Sequence, residues 1–208
     1  MTKKEKVKTI LSLLDEHYPT DTKCYLYYGE VHELLIATIL SAQCTDGRVN
    51  IVTKGLFKKY PSLLAFAEAD RAELEKDIYS TGFFRTKAKN IIETSSRLIY
   101  EHNAEVPSDM DKLIALPGVG RKTANLVRGH AYGIPSIVVD THVKRVSNRL
   151  GLAKSADPDK IEFELMKILP KNHWIRYNTQ IIAHGRKICA SRKPLCGECF
   201  LKGCCALI

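Results

Sequence analysis

"LPGVGRKTANLV", residues 116–127, sets a proline and two glycines between two apolar patterns of helical spacing. Upstream, Met110, Leu113, Ile114 and Leu116 give one apolar face. Pro117 ends that pattern, because it lacks an N–H and its ring crowds the preceding turn. Gly118 and Gly120 can take a positive φ and carry no side chain to obstruct close approach. A second helix is predicted from Arg121, with Ala124, Val127 and Ala131 on its inner face. The backbone N–H groups at such a helix start lack intrahelical partners and favour an anion, which a nucleic-acid phosphate supplies.

Helical spacing recurs on both sides of this turn. Val7, Ile10, Leu11 and Leu14 form one stripe, and Val49, Val52 and Leu56 another. Ala88, Ile91, Ile92, Leu98 and Ile99 form a third, followed by Val143, Val146 and Leu150, and by Ile161, Leu165, Ile168 and Leu169. Tyr60-Pro61, Ser80-Thr81-Gly82, Pro107-Ser108-Asp109 and Asp157-Pro158-Asp159 separate these stripes with start and stop signals. The strand-like run "SIVV", residues 136–139, is too short to build a sheet. An all-α fold follows. Breaks fall at Pro19–Cys24 and at "YGIPSI", residues 132–137, where Gly133 and Pro135 interrupt two helical patterns.

At 208 residues, 45% of them hydrophobic, the chain can bury a real core. The formal net charge of +9 points to an anionic partner, with nucleic acid the best fit. The N-terminal segment reads as an amphipathic helix rather than a leader, and no run approaches a membrane span. A reducing, cytoplasmic setting is therefore expected, in which the seven cysteines serve as ligands or buried thiols rather than disulfides.

Lys122 falls in the first turn of the second predicted helix. The helix dipole and neighbouring Arg121 both disfavour an ammonium there, and a neutral amine is a nucleophile where a charged one is not. Charge alone also allows a solvated lysine that bends away from the helix end. In "IVVDTHVKRVSNRLGL", residues 137–152, Asp140 precedes a helix that Gly151 ends. Asp140 reads equally as a plain N-cap. Lys144, Arg145 and Arg149 are expected on an exposed, basic face of that helix.

"CASRKPLCGECFLKGCC" opens at Cys189 and carries C-x6-C-x2-C-x5-C if Cys205 is its last ligand. Four thiolates on so short a tether point to a metal centre. Only Cys196 and Cys199 form the close pair that zinc sites usually duplicate. Spacing alone leaves Cys204 as an alternative to Cys205. Cys24 and Cys44 read as core thiols.

Together "LPGVGRKTAN", "VDTHV" and the cysteine pattern resemble the endonuclease III family of helix-hairpin-helix DNA glycosylases. The likeness runs from about residue 30 through Cys205. It implies two helical lobes flanking a DNA-binding groove: a six-helix barrel-like domain with the helix-hairpin-helix, residues 22–134, and a helical cluster domain, residues 1–21 and 135–208. It implies a bifunctional DNA glycosylase/AP lyase with Lys122 as nucleophile, Asp140 as its carboxylate, and a [4Fe-4S] cluster on Cys189, Cys196, Cys199 and Cys205. The implied partner is double-stranded DNA with damaged pyrimidines or abasic sites, met by a monomer without membrane attachment. "LSAQCTD", residues 40–46, resembles the family's gap-filling segment and gives that role to Gln43. "STGFFRTKAKN", residues 80–90, resembles its wedge loop, with Phe83 where many relatives carry leucine. Gly118, Gly120, Arg121, His142 and Lys193 complete the implied DNA contacts.

Two other readings stay in view. A mismatch glycosylase of the same superfamily would act on adenine or thymine, although adenine-specific relatives generally lack this lysine. A non-catalytic DNA-binding module would use the hairpin as a clamp, and would leave Lys122 and Asp140 without a shared purpose.

Overall fold

The computed structural model describes residues 2–21 and 23–206, and no β-strand occurs among them. The chain divides into two compact units, one formed by Cys24–Tyr132 and the other by Met1–Lys23 with Gly133–Ile208. Thr22, where the first lobe was expected to begin, lies outside the described residues. "SIVV" at 136–139 is buried but pairs with no strand.

Helix α1, Lys3–His17, opens the discontinuous unit. Thr2 caps it by accepting from the Glu5 N–H, while the Glu5 carboxylate accepts from the Thr2 N–H, a reciprocal capping box. Val7, Ile10, Leu11 and Leu14 are its buried face.

Within the unit Cys24–Tyr132, α2 (Val31–Leu40) is the central helix. Every residue from Leu34 to Leu40 is buried, as befits a helix that is apolar all round. Helices α3 (Asp46–Lys59), α4 (Leu63–Ala67), α5 (Arg71–Asp77) and α6 (Phe84–Glu101) follow. The short α7 (Met110–Ile114) and α8 (Arg121–Tyr132) are the arms of the glycine hairpin. Helix α6 packs on α2, α4 and α5, and α8 packs on α2 and α7. Leu113 and Leu116 are buried as read from the sequence, but Ile114 is 42% exposed. With five residues α7 has room for little more than one inward-facing side.

Helices α9 (Thr141–Arg149), α10 (Pro158–Met166) and α11 (Trp174–Lys187) complete the other unit. Val143, Val146, Ile161, Leu165, Tyr177 and Ile181 join the α1 stripe in its core. Gly185 lets α11 lie close to α9: a Cβ there would stand 2.7 Å from His142 Nδ1 and 3.0 Å from Arg145 Nη2. Gly151, at φ 68°, ends the α9 segment in the left-handed region. No helix is long and apolar enough to cross a membrane among the described residues.

Candidate nucleic-acid interface and metal centre

The hairpin turn rests on one face of α6. Asn90, Thr94 and Arg97 are spaced i, i+4, i+7, so they share that face. Thr94 Oγ1 donates to Pro117 O at 2.8 Å, and Arg97 Nη1 donates to Ala115 O at 2.6 Å. Gly118 takes φ 75°, and a Cβ on it would meet Asn90 Nδ2 at 2.7 Å. The fold therefore demands glycine at 118 twice over. It makes no such demand at 120. Gly120 has no left-handed φ, and a Cβ there would meet nothing within 4 Å.

Helix α8 starts from this open glycine, with the Ala124 N–H donating to Gly120 O at 2.9 Å. Lys122 is exposed in its first turn, and Arg121 beside it is half-buried. Arg128, farther along α8, is tied to the hairpin itself through Ser108 O at 3.0 Å. This unit thus presents a bare turn, a helix start and one exposed amine in four residues.

Gln43 and Phe83 belong to the same unit. Both are exposed, Phe83 to 64%, and both are left-handed, with φ of 54° and 48°. Non-glycine residues in that region are strained and gather at functional positions. Phe84 behaves differently: it packs against the core, its ring 4.8 Å from that of Tyr79. The pair "FF" therefore splits into one outward and one inward aromatic. Cys24 and Cys44 lie partly buried against this core, and burial raises the Cys24 thiol to about 11.

In the other unit Asp140 is the N-cap of α9, its Oδ1 accepting from the Val143 N–H at 2.7 Å. His142 is half-buried, with Nδ1 facing Arg145 Nη2 at 3.1 Å. Burial, reinforced by Arg145 and Arg186 and opposed by Asp140, holds its pKa below the usual imidazole value.

Arg145 and Arg149 do not form the exposed basic face expected of α9. Both are half-buried and turn toward the cysteine loop. Arg145 donates to Cys189 O at 3.0 Å and Gly185 O at 3.0 Å. Arg149 donates to Ala190 O at 2.7 Å, Ser191 O at 3.1 Å and Cys189 Sγ at 3.3 Å. The two lie one helical turn apart, so both reach the same loop. An i, i+4 pair of arginines without an acidic partner on their helix was the available sequence signal.

Cys189, Cys196, Cys199 and Cys205 line one cavity, walled by Val146, Leu150, Ile188, Pro194, Leu195 and Leu201. Cys204 is not part of that lining and is buried in the apolar core. No disulfide joins any of the seven cysteines. The Cys199 pKa is raised, first by burial and then by the charges of Cys189, Cys205 and Cys196. Arg149 and Lys202 also line the cavity, and four thiolates gathered there still repel one another unless a bound metal holds them. No three His, Cys, Asp or Glu side chains among the described residues converge as they would on a single ion. A multi-iron cluster gives each thiolate its own iron, so its ligands need not meet at one point. Four cysteine donors on one cavity fit the donor set of such a cluster. Lys193, exposed and left-handed at φ 50°, projects from the same loop.

Residues 36–171 match the family of HhH-GPD superfamily base excision DNA repair proteins. Endonuclease III of Synechocystis sp. is 53% identical over 205 residues, which cover 98% of this chain and 93% of that protein. A non-covalent endonuclease III–DNA complex superposes with a TM-score of 0.93 at 45% identity, over 100% of this chain and 96% of the other. A trapped covalent endonuclease III–DNA intermediate matches equally well, at TM-score 0.93 and 45% identity, covering 100% and 97%.

Proposed function

Because the chain belongs to the endonuclease III family of base excision repair proteins, and is thereby a bifunctional DNA glycosylase/AP lyase, we propose that Lys122 is its nucleophile and oxidised pyrimidines in duplex DNA its substrates. The observation that carries this reading is the exposed amine of Lys122 two residues beyond Gly120, a glycine that the protein's own packing does not require. A phosphate lying on the turn would use that bare space, and Lys122 would then stand beside the sugar.

The Lys122 nitrogen attacks C1′ of an extruded nucleotide as the glycosidic bond breaks, and the base leaves with the bonding electron pair and a proton. The sugar opens to an imine. Loss of the C2′ proton then expels the 3′ phosphate with the C3′–O electrons, which is β-elimination. The Asp140 carboxylate offsets positive charge developing on the deoxyribose and accepts the proton that Lys122 must lose. Gln43 fills the vacated space and Phe83 wedges into the opposite strand. Arg121, His142 and Lys193 contact the DNA, with Gly118 and Gly120 forming the phosphate turn.

Cys189, Cys196, Cys199 and Cys205 would hold the [4Fe-4S] cluster, whose thiolate bonds tie the loop that carries Lys193. Purified anaerobically, the protein is expected to be brown and to absorb near ~400 nm. A colourless, zinc-loaded protein would contradict the assignment. We place the protein in the cytoplasm as a monomer.

The two hairpin glycines separate fold from function. Gly118→Ala is expected to destabilise the protein by about 1–2 kcal/mol from the left-handed backbone alone, with the Asn90 clash in addition. Gly120→Ala is expected to be as stable as the parent or more so, by up to about 1 kcal/mol, yet to bind duplex DNA more weakly. Thermal melts and a binding titration check both. The substrate assignment is tested with duplexes carrying one thymine glycol, one adenine opposite guanine, or one thymine opposite guanine. Excision of thymine glycol alone is expected; excision confined to either mismatch would replace this reading with that of a mismatch glycosylase.

A further inference from the structure

Lys87 is a lysine among buried, mostly apolar positions of its helix. It lies on the buried stripe of α6, beside Ala88 and one turn before Ile91, and is only 4% exposed. Its ammonium donates to Leu40 O at 2.8 Å and to Thr81 O at 2.8 Å. Among the described residues no carboxylate pairs with it. Burial lowers its pKa.

Both acceptors are carbonyls at the ends of helical segments. Leu40 is the last residue of α2, and Thr81 ends the 3-10 turn Tyr79–Thr81. Such carbonyls lack intrahelical partners and carry the negative end of the helix dipole, so a cation is well placed between them. Each carbonyl also stands just before a left-handed excursion. Gln43 follows Leu40 by three residues at φ 54°, while Gly82 and Phe83 follow Thr81 at φ 72° and 48°. Strained conformations persist only where the surroundings over-determine them.

A methionine would fill the same space without burying a charge, but it would leave both carbonyls without a donor. What methionine cannot do is bond two carbonyls from separate parts of the chain at once. We propose that Lys87 is a positioning residue that locks the Gln43 turn to the Phe83 turn, so that both enter the duplex in a fixed relation. The proposal rests on the reading of Gln43 and Phe83 as the duplex-opening residues.

The test uses the full-length protein with its cluster, a duplex containing one thymine glycol, and 2-aminopurine opposite the lesion as a reporter of unstacking. Lys87→Met is expected to lower excision by about 10- to 100-fold, as a displacement near 1 Å does, and to lose the 2-aminopurine brightening. Affinity for undamaged duplex should stay within about twofold of wild type, because phosphate contacts need no opened strand. Lys87→Gln keeps a donor and should fall between methionine and lysine. Should the methionine variant not fold, the glutamine variant is judged on the same contrast. Wild-type excision and brightening in Lys87→Met would overturn the proposal, as would equal loss of undamaged-duplex binding. Gln43→Ala and Phe83→Ala serve as controls: if they open and excise normally, the reading of the turns fails, and Lys87 loses its role with it.

Discussion

Replacing Lys122 by glutamine is expected to abolish strand cleavage at abasic sites and to lower base excision by at least about 10³-fold, the scale on which loss of a covalent nucleophile is felt. Glutamine keeps a polar side chain of similar reach but has no amine to attack C1′. The fold should not suffer. Lys122 is exposed, and surface changes usually alter stability by less than about 0.5 kcal/mol. Removing a cation from a helix start should even favour the helix, by about 0.3–1 kcal/mol. A variant that melts no lower than wild type while losing both activities is the signature of a lysine placed for reaction rather than for stability. Excision and cleavage assays beside a thermal melt measure both sides of that trade.

Asp140→Asn is expected to lower excision by about 10²- to 10⁴-fold, the usual contribution of a positioned acid or base, while stability stays nearly unchanged. The reason is geometric. One carboxylate oxygen of Asp140 already caps α9 at the Val143 N–H, and asparagine caps a helix as well as aspartate does. The substitution therefore keeps the cap and removes the charge. Asp140→Ala removes both, and should add about 1 kcal/mol of destabilisation. Full activity in the asparagine variant would reduce Asp140 to a helix cap, as its position before α9 alone would suggest.

The stripes of α1, α3, α6, α9 and α10 were legible because each helix has one wet side, which makes its buried residues periodic. Helix α2 was not, since Leu34 through Leu40 are all buried and a helix with no wet side shows no period. Gly118 and Gly120 look alike in sequence, and only the folded turn, with its left-handed φ and Asn90 at Gly118, separates a glycine needed for folding from one left bare. Arg145 and Arg149 read as a basic surface because sequence gives the helix face but not the loop that folds over it. Lys87 was overlooked for a related reason. It falls on the apolar stripe of α6, where a lysine looks like an interruption until its two carbonyl partners are in place. The left-handed backbone of Gln43, Phe83 and Lys193 likewise had no signal in residue type, since none of the three is a glycine.

Asp140 was legible as a helix cap from its place before the α9 stripe, and it caps α9 at the Val143 N–H. The cysteines were legible too. Their spacing pointed to a metal centre, and the cavity adds which neighbour faces inward: Cys205 lines it while Cys204 packs in the core.

The identity of the residue joined to DNA is the most direct test. Wild-type protein is incubated with an abasic-site duplex under borohydride, the reduced adduct is digested, and the cross-linked peptide is sequenced by mass spectrometry. The sugar remnant should be found on the Nζ of Lys122. Its appearance on any other lysine, or on the terminal amine, would contradict the mechanism from its first bond onward.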